Sequence, residues 1–128
     1  MPTIMTVDDS ATVRAIITAT LEERGYDVIE AQSGAAALDL LQVRKADLLL
    51  LDIMMPGMDG PTMLAELRAR DDDTRVILLT ARTETKIITE CMKHKIIDYI
   101  NKPVIPTDLC GRIEAILGPA PKQKSIIK

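Results

Sequence analysis

The sequence predicts an α/β fold, a doubly wound sheet of five parallel strands with helices on both faces. Strand-like apolar runs alternate with stretches of helical periodicity five times along the 128 residues, which is the pattern of consecutive βαβ units. Two of the runs, Leu48–Leu51 and Val76–Leu79, are apolar throughout, as central parallel strands are when helices cover both faces. The strand order 2-1-3-4-5 fits five such units, although the alternation alone does not determine it.

Each strand is predicted from a short run rich in apolar residues and bounded by polar or turn residues. These runs are only a few residues long, too short to span a membrane. The five predicted strands are Thr3–Val7, Asp27–Ala31, Asp47–Leu51, Arg75–Leu79 and Ile97–Ile100.

Each helix is predicted from an apolar stripe with a start or stop signal beside it. Ser10 and Ser33 are candidate N-caps of the first and second helices, and Gly25 follows the end of the first. Pro61 and Pro106 fall in the first turns of the third and fifth helices. The stripes are Val13, Ile16, Ile17, Thr20 and Leu21; Ala37, Leu38 and Leu41; Leu64 and Leu67; Ile87, Ile88, Cys91 and Met92; and Leu109, Ile113, Ile116 and Leu117.

The composition argues against several classes of protein. The net charge of −3 argues mildly against nucleic acid as a direct partner, and two tyrosines without Trp or Phe offer no aromatic platform for single-stranded nucleic acid. The N-terminus lacks the apolar segment of a secretory signal, so we expect a cytoplasmic protein. Cys91, Cys110 and His94 have no metal-like or triad-like spacing. We expect one domain over residues 1–118 and a flexible tail over residues 119–128.

Polar residues follow four of the five predicted strands, at the edge where parallel strands end. Asp8 and Asp9 follow the first strand, Asp52 the third, Thr80 the fourth and Lys102 the fifth. The ends of such strands point into one crevice. Carboxylates brought together there repel by about 1 to 4 kcal/mol per pair at about 4 Å, so the arrangement predicts a bound cation. The hydroxyl and the ammonium on the same rim suggest that a phosphate joins the cation.

Four segments at these strand ends resemble the motifs of one known family. The segments are Val7–Ser10, Leu51–Gly60, Leu79–Ala81 and Asp98–Pro103. In this order they resemble a response-regulator receiver domain, the family of the chemotaxis protein CheY, and the resemblance covers nearly the whole chain. It implies a flavodoxin-like (βα)5 fold and a place in two-component signalling.

The resemblance assigns roles to the acidic residues. Asp52 would be the phosphoacceptor, whose carboxylate attacks phosphorus to give an acyl phosphate. Asp9 would ligate Mg²⁺ directly and Asp8 partly through water. Asp52 and the backbone carbonyl of Met54 would supply further oxygen ligands. Mg²⁺ prefers octahedral oxygen ligands and retains waters, and it would neutralise charge on the transferring phosphoryl group.

The resemblance also implies a conformational switch. Lys102 would pair with the phosphoryl oxygens, and Thr80 would hydrogen-bond the phosphoryl group and move inward. Tyr99 would then rotate from solvent toward the space that Thr80 leaves. The peptide bond before Pro103 would be cis, an isomer that only X–Pro bonds adopt at small cost.

Several positions depart from the family pattern or modulate it. Lys95 stands where the family usually carries glycine and lacks glycine's freedom at positive φ, so we expect the end of the fourth helix to be built differently. In the family, the positions of Met54 and Arg82 line the route of attacking water, so the resemblance implies that these two side chains set the lifetime of the phosphorylated state. Ala81 is small enough to let the phosphoryl group approach the backbone.

Together these residues predict a phosphorylation-activated switch that catalyses its own phosphorylation and slow dephosphorylation. The donor would be a sensor histidine kinase or a small acyl phosphate. The readout would be a changed surface on the fourth helix, fifth strand and fifth helix, which binds a downstream protein that the sequence does not name. We expect a monomer or a phosphorylation-dependent dimer, with no insertion into the membrane.

Three other functions compete with the switch. A phosphorelay intermediate would pass the phosphoryl group onward, and a scaffold would keep the fold without phosphorylation. A phosphatase that uses an aspartyl phosphate typically needs a second carboxylate two residues after the nucleophile. Met54 occupies that position, which disfavours the phosphatase.

Overall fold

The computed structural model describes residues 1–81 and 85–122. Within these residues, strands and helices alternate and the strands form one parallel sheet of order β2-β1-β3-β4-β5, which confirms the predicted fold class. The strands are β1 Thr3–Val7, β2 Asp27–Ala31, β3 Leu48–Asp52, β4 Arg75–Thr80 and β5 Asp98–Asn101. The helices are α1 Ala11–Glu23, α2 Gly34–Val43, α3 Gly60–Ala69, α4 Thr85–Met92 and α5 Pro106–Leu117.

Three strands end one residue later than the apolar runs predict. Asp52 is the last residue of β3 and is in register with Leu79, while Thr80 ends β4 in register with Asn101. The ladder therefore extends into the polar residues that the sequence pattern placed after the strands. The backbone of both functional candidates is fixed by the sheet, because strand residues pair with a neighbouring strand.

The core lies in two aliphatic layers, one on each face of the sheet. Alternate residues of each strand point to opposite faces, so Leu49 and Leu51 pack toward α2, α3 and α4 while Leu48 and Leu50 pack toward α1 and α5. Complete burial of each such leucine stabilises the fold by about 1.5 to 3 kcal/mol. Tyr26 is the one aromatic residue in the described part of the core, as the composition predicts.

The helix starts carry the predicted caps and one further cap. The Ser10 hydroxyl accepts a hydrogen bond from the Val13 amide at 3.2 Å, and the Ser33 hydroxyl accepts one from the Ala36 amide at 3.1 Å. The carboxylate of Asp59 caps α3 in the same way. Each side chain satisfies an amide that the helix leaves without a partner, which is typically worth about 1 kcal/mol.

The corner between α4 and β5 keeps a left-handed backbone at a lysine. Lys95 has φ of 61°, a conformation that costs an L-residue roughly 1 to 2 kcal/mol. The guanidinium of Arg68 on α3 donates to four backbone carbonyls around this corner and the α3–β4 loop. The acceptors, with their distances from the guanidinium, are His94 at 2.8 Å, Lys95 at 3.1 Å, Asp72 at 2.7 Å and Thr74 at 2.9 Å; we call this the Arg68 cluster.

The packed chain continues past α5 into the segment expected to be a tail. Ala120 is buried, and the Lys122 amide donates to the Arg24 carbonyl at 2.8 Å. Gly25 has φ of 88°, and a Cβ there would lie 2.9 Å from Lys122 Cβ, so glycine suits both the turn and the contact. A domain limit at residue 118 and a flexible tail stay predictions, since residues 123–128 lie outside the described part.

None of the helices in residues 1–81 and 85–122 combines the length and the apolar character that crossing a bilayer requires.

Candidate functional site

Three carboxylates converge at the C-terminal edge of the sheet. Asp8 and Asp9 follow β1, and Asp52 ends β3, the strand beside it. One oxygen from each residue lies within 4.8 Å of the others. Asp8 and Asp52 are 1% and 3% exposed, whereas Asp9 is exposed to solvent. We call these three residues the acidic cluster.

Asp8 has four polar atoms in its backbone and side chain, and three of them make hydrogen bonds with other described residues. Its amide donates to the Ala31 carbonyl at 3.1 Å, and its Oδ1 accepts from the Ser10 amide at 2.9 Å. The Asp8 carbonyl accepts from Arg14 Nη1 at 2.6 Å. Its other carboxylate oxygen, Oδ2, is buried and has no hydrogen-bond partner within residues 1–81 and 85–122. A buried oxygen without a donor costs free energy unless something else binds it.

The Lys102 ammonium lies between the carboxylates of Asp8 and Asp52. Its Nζ lies 3.0 Å from Asp52 Oδ1 and 3.6 Å from Asp8 Oδ2, so it hydrogen-bonds the former and only faces the latter. Burial by itself lowers the pKa of Lys102, but the hydrogen bond and charge of Asp52, with the charge of Asp8, raise that pKa above its usual value. The lysine therefore stays protonated while partly buried.

Asp52 has an environment that opposes its ionisation on balance. Burial raises the pKa of its carboxyl most, and the negative charge of Asp8 raises it further. The hydrogen bond and charge of Lys102 and the hydrogen bond from the Met54 amide lower the pKa, without reversing the shift. A bound cation would lower the pKa of Asp52, because it would neutralise the repulsion between the carboxylates of Asp8 and Asp52.

The donor set of the acidic cluster fits Mg²⁺. All three side chains offer hard oxygen ligands, which this ion prefers. Asp8 Oδ2 accepts no hydrogen bond from the described residues and lies 3.6 Å from Lys102 Nζ, so it can form a coordination bond to a cation. Exposed Asp9 leaves room for the waters that Mg²⁺ retains.

Thr80 and Tyr99 lie on the same face of the sheet. Leu78 is in register with Tyr99, and Thr80 with Asn101. Since every second residue of a strand points to the same face, the side chains of Thr80 and Tyr99 share a face and are offset by two residues along neighbouring strands. Thr80 is fully buried and its hydroxyl donates to the Ala81 carbonyl at 2.9 Å. Tyr99 is 43% exposed. A hydroxyl that turns away from Ala81 would change the space next to a ring that now faces solvent.

The remaining predicted site residues lie around the rim. Met54 is 52% exposed, and its amide donates to Asp52 Oδ1 at 3.3 Å. Its carbonyl as a metal ligand stays a prediction. Ala81 is half-buried, and Arg82 lies outside the described residues. The peptide bond between Lys102 and Pro103 is cis, and the Lys102 amide donates to the Thr80 carbonyl at 2.7 Å.

The sequence analysis did not identify Arg14 or Glu30 as site residues. Arg14 extends from α1 to the Asp8 carbonyl, and its Nε pairs with Glu30 Oε1 at 3.1 Å. The available signal was weak: an arginine one turn into the helix that follows an acidic loop. A contact to a backbone carbonyl leaves no pattern in the sequence, which is why the residue was missed.

Comparisons with known proteins agree with this geometry. The family model described as "Response regulator receiver domain" matches residues 4–114. The phosphate regulon transcriptional regulatory protein PhoB of Pseudomonas aeruginosa is 38% identical over 118 residues, which are 90% of this chain and 51% of PhoB. The DNA-binding response regulator MtrA of Mycobacterium tuberculosis is 36% identical over 114 residues, covering 89% of this chain and 50% of MtrA.

Solved structures give the same result. The chemotaxis protein CheY4 of Vibrio cholerae superposes with a TM-score of 0.85 at 28% identity, over 91% of this chain and 99% of CheY4. A CheY-like receiver domain protein from Methanospirillum hungatei superposes with a TM-score of 0.82 at 33% identity, over 91% of this chain and 94% of the other. The chain belongs to the response regulator receiver domain family, the class in which a sensor kinase signals through a regulator in two-component systems.

The chain spans about half the length of the curated relatives that it matches. These relatives are named as transcriptional and DNA-binding regulators. The expectation that this protein has no direct contact with nucleic acid therefore finds no support in them.

Proposed function

We propose that this protein is a phosphorylation-driven switch whose phosphoacceptor is Asp52. The observation that carries the proposal is the contact of the Lys102 ammonium, 3.0 Å from the buried Asp52 carboxylate, beside two further carboxylates. A carboxylate oxygen of Asp52 attacks phosphorus, and the P–N bond of a phosphohistidine or the P–O bond of a small acyl phosphate breaks. The bonding electrons leave with the donor, and Asp52 becomes an acyl phosphate.

The residues around Asp52 have separate tasks in this transfer. Asp8 and Asp9, with Asp52, would hold Mg²⁺, which would supply charge neutralisation for the phosphoryl group. Lys102 pairs with Asp52 Oδ1 before transfer and with a phosphoryl oxygen after it. Its positive charge also opposes the rise in the Asp52 pKa that burial causes, so more of the carboxyl is available as the nucleophile.

The readout proceeds from Thr80 to Tyr99 and the surface of α4, β5 and α5. A phosphoryl oxygen offers the Thr80 hydroxyl a charged acceptor in place of the neutral Ala81 carbonyl, and charge-assisted hydrogen bonds are the stronger kind. Tyr99 then turns inward on the same face of the sheet. Met92, Ile97 and Tyr99 are exposed on this surface, which fits contact with a downstream protein or with a second copy of the phosphorylated chain.

The phosphoryl donor is a sensor histidine kinase or a small acyl phosphate, and the transfer to Asp52 takes place in the cytoplasm. An open apolar groove, lined by Val13, Ile16, Ile17, Pro103 and Val104, borders Lys102. A protein that delivers a phosphohistidine to Asp52 has to dock on a surface next to that lysine, and exposed apolar surface of this kind is typical of such contacts.

Met54 and Arg82 set the lifetime of the phosphorylated state, because their positions line the route of attacking water in the family. Met54 is 52% exposed and follows Asp52 by two residues, with its amide donating to Asp52 Oδ1. We expect Met54→Asn to change the dephosphorylation rate, since an amide can orient a water that a thioether excludes. The small Ala81 leaves the backbone accessible to the phosphoryl group.

The scaffold alternative has no observation in its favour. A scaffold without phosphorylation does not need an open, buried carboxylate oxygen beside an ammonium, and such a group costs stability. The phosphorelay alternative uses the same chemistry at Asp52 and differs only in the acceptor that follows.

Intact-mass spectrometry after incubation with acetyl phosphate tests the proposal. We expect one added phosphoryl group that requires both Mg²⁺ and Asp52, so that Asp52→Asn or removal of Mg²⁺ with a chelator abolishes it. Asp39→Asn, which removes an exposed carboxylate on α2, is the matched control and should phosphorylate normally. If neither acetyl phosphate nor a phosphorylated histidine kinase gives an adduct, the scaffold replaces the switch.

A further inference from the structure

Arg14 makes an ion pair that joins three elements directly behind the acidic cluster. Its Nη1 donates to the Asp8 carbonyl at 2.6 Å, and its Nε donates to Glu30 Oε1 at 3.1 Å. The Arg14 side chain is only 14% exposed, while that of Glu30 is 41% exposed. One guanidinium thus ties α1 to the end of β1 and to β2. A largely buried cation keeps this position because both its acceptors are in place.

The contact to Asp8 acts on the geometry of the peptide that carries the carboxylate. The Asp8 amide is already fixed by the Ala31 carbonyl, and the Asp8 carbonyl belongs to the peptide that leads into Asp9. Arg14 therefore fixes the link between the two acids that follow β1. Without it, this peptide loses one of its restraints, so the two acids are less firmly positioned relative to Asp52, with the Ser10 amide still holding Asp8 Oδ1.

Glu30 in turn orients Arg14. Its carboxylate binds Nε and leaves Nη1 aimed at the Asp8 carbonyl. It also balances the positive charge, which would otherwise oppose a cation bound by the acidic cluster. The pair adds no net charge to the site, so its influence on a bound ion is mainly geometric.

We propose that Arg14, oriented by Glu30, is a positioning residue for the cation site: it fixes the Asp8–Asp9 peptide so that Asp8 Oδ2 faces the acidic cluster. The inference rests on the proposed function in that the cation is Mg²⁺. Outer partners of metal ligands commonly change metal affinity by about 10-fold or more when they are removed. Since Arg14 contacts the backbone of a ligand residue, we expect the lower end of that range.

The test compares two charge-neutral double variants in the unphosphorylated protein. Arg14→Met with Glu30→Gln removes one positive and one negative charge at the site. Arg24→Met with Glu114→Gln removes the matching pair at the other end of α1, where Arg24 Nη1 lies 3.1 Å from Glu114 Oε2. Mg²⁺ affinity is measured from backbone amide NMR shifts during titration with the ion, because the chain has no Trp to report binding.

We expect the first double variant to bind Mg²⁺ about 10-fold more weakly and the second to bind as the wild type does. Phosphorylation by acetyl phosphate should be slow in the first variant at limiting Mg²⁺ and recover at saturating Mg²⁺. Arg14→Lys, which retains a donor for the Asp8 carbonyl, should regain part of the affinity. It also decides the question if the first double variant does not fold.

Each other outcome overturns a different statement. If the wild type binds no Mg²⁺, the proposed function fails at its metal. If the wild type binds Mg²⁺ and the Arg14 variants bind it equally well, only the inference about Arg14 is wrong. If both double variants lose affinity to the same extent, Arg14 acts through general stability and is not a positioning residue.

Discussion

Two polar sites at opposite edges of the sheet differ in how their buried groups are satisfied. At the C-terminal edge, Asp8 Oδ2 is buried and accepts no hydrogen bond from the described residues, and burial raises the pKa of Asp52. At the N-terminal edge, the Arg68 cluster satisfies four backbone carbonyls with one guanidinium. The acidic cluster leaves binding capacity open at a cost in stability, whereas the Arg68 cluster joins the loops. Since the Tyr26 hydroxyl is also buried without a partner among the described residues, an unsatisfied polar group marks a ligand site here only where carboxylates converge beside it.

This contrast explains why a lysine is tolerated at the left-handed corner before β5. Lys95 loses roughly 1 to 2 kcal/mol through its backbone conformation. The two hydrogen bonds from Arg68 to the carbonyls of His94 and Lys95 offset that loss, because an intramolecular hydrogen bond contributes about 0.5 to 1.5 kcal/mol net. The strained residue lies beside the Arg68 cluster, at the edge of the sheet opposite to the acidic cluster.

The largest expected effect comes from removing the cation that faces the acidic cluster. Lys102→Met deletes the ammonium that contacts Asp52 and would contact the phosphoryl group. We expect the rate of phosphorylation by acetyl phosphate to fall by about 100-fold or more, as when one preorganised charge-stabilising donor is lost. The measurement is the initial rate of adduct formation by intact-mass spectrometry at saturating Mg²⁺.

Lys93→Met is the matched control for this prediction. Lys93 pairs with Glu90 on the surface of α4, where both side chains are more than half exposed, and such pairs contribute little. We expect a rate equal to that of the wild type. A Lys102→Met rate within a few-fold of wild type would show that the two edges do not differ in the way proposed.

Removing the Arg68 side chain tests the other edge. Arg68→Met leaves four carbonyls without their common donor, and we expect a loss of about 2 to 3 kcal/mol in the free energy of unfolding. Denaturant titration followed by circular dichroism measures the change. The phosphorylation rate of the folded protein should stay unchanged, because the cluster lies at the opposite edge of the sheet.

Arg70→Met supplies the comparison for Arg68. Arg70 is exposed and donates to a single carbonyl, that of Leu38, so we expect a loss below about 1 kcal/mol. Equal losses for the two arginines would mean that the number of satisfied carbonyls does not determine stability at this edge.

The parts of the molecule that the sequence predicted are those with a side-chain pattern. Apolar runs identified the strands, and acids at the strand ends identified Asp8, Asp9 and Asp52 before their convergence was known. The apolar stripes were less specific, since Ile16 and Met92 belong to them yet are 54% and 60% exposed. A stripe reports the face of a helix and not the area that a neighbour covers.

The sequence did not predict the contacts that arginine side chains make with backbone carbonyls. Arg68 reaches carbonyls up to 27 positions away, and Arg14 reaches that of Asp8. Every residue carries a carbonyl, so no residue type marks the acceptor. Only the folded chain shows that these two arginines, and not the more exposed Arg70, organise the loops at each edge of the sheet.

The smallest expected effect tests the acidic cluster. It is the change of the free energy of unfolding with pH that the ionisation of Asp52 causes. Burial raises the pKa of the folded carboxyl above its ordinary value of 3.8. As pH rises, the Asp52 carboxyl of the unfolded chain loses its proton at a lower pH than the carboxyl of the folded chain. Stability therefore falls as pH rises through the window between the two pKa values, and the loss is complete above the folded pKa.

Asp52→Asn removes that loss, so we expect the variant to melt at a higher temperature than the wild type at neutral pH without Mg²⁺. The gain should shrink as pH falls through 3.8, because below that pH both the folded and the unfolded wild type hold the proton. Added Mg²⁺ should narrow the gap at neutral pH, because the ion stabilises only the form that binds it. Asp39→Asn should show none of these changes. A variant less stable than the wild type at neutral pH would mean that the contact with Lys102 outweighs burial, and the acidic cluster would then be a stabilising feature like the Arg68 cluster.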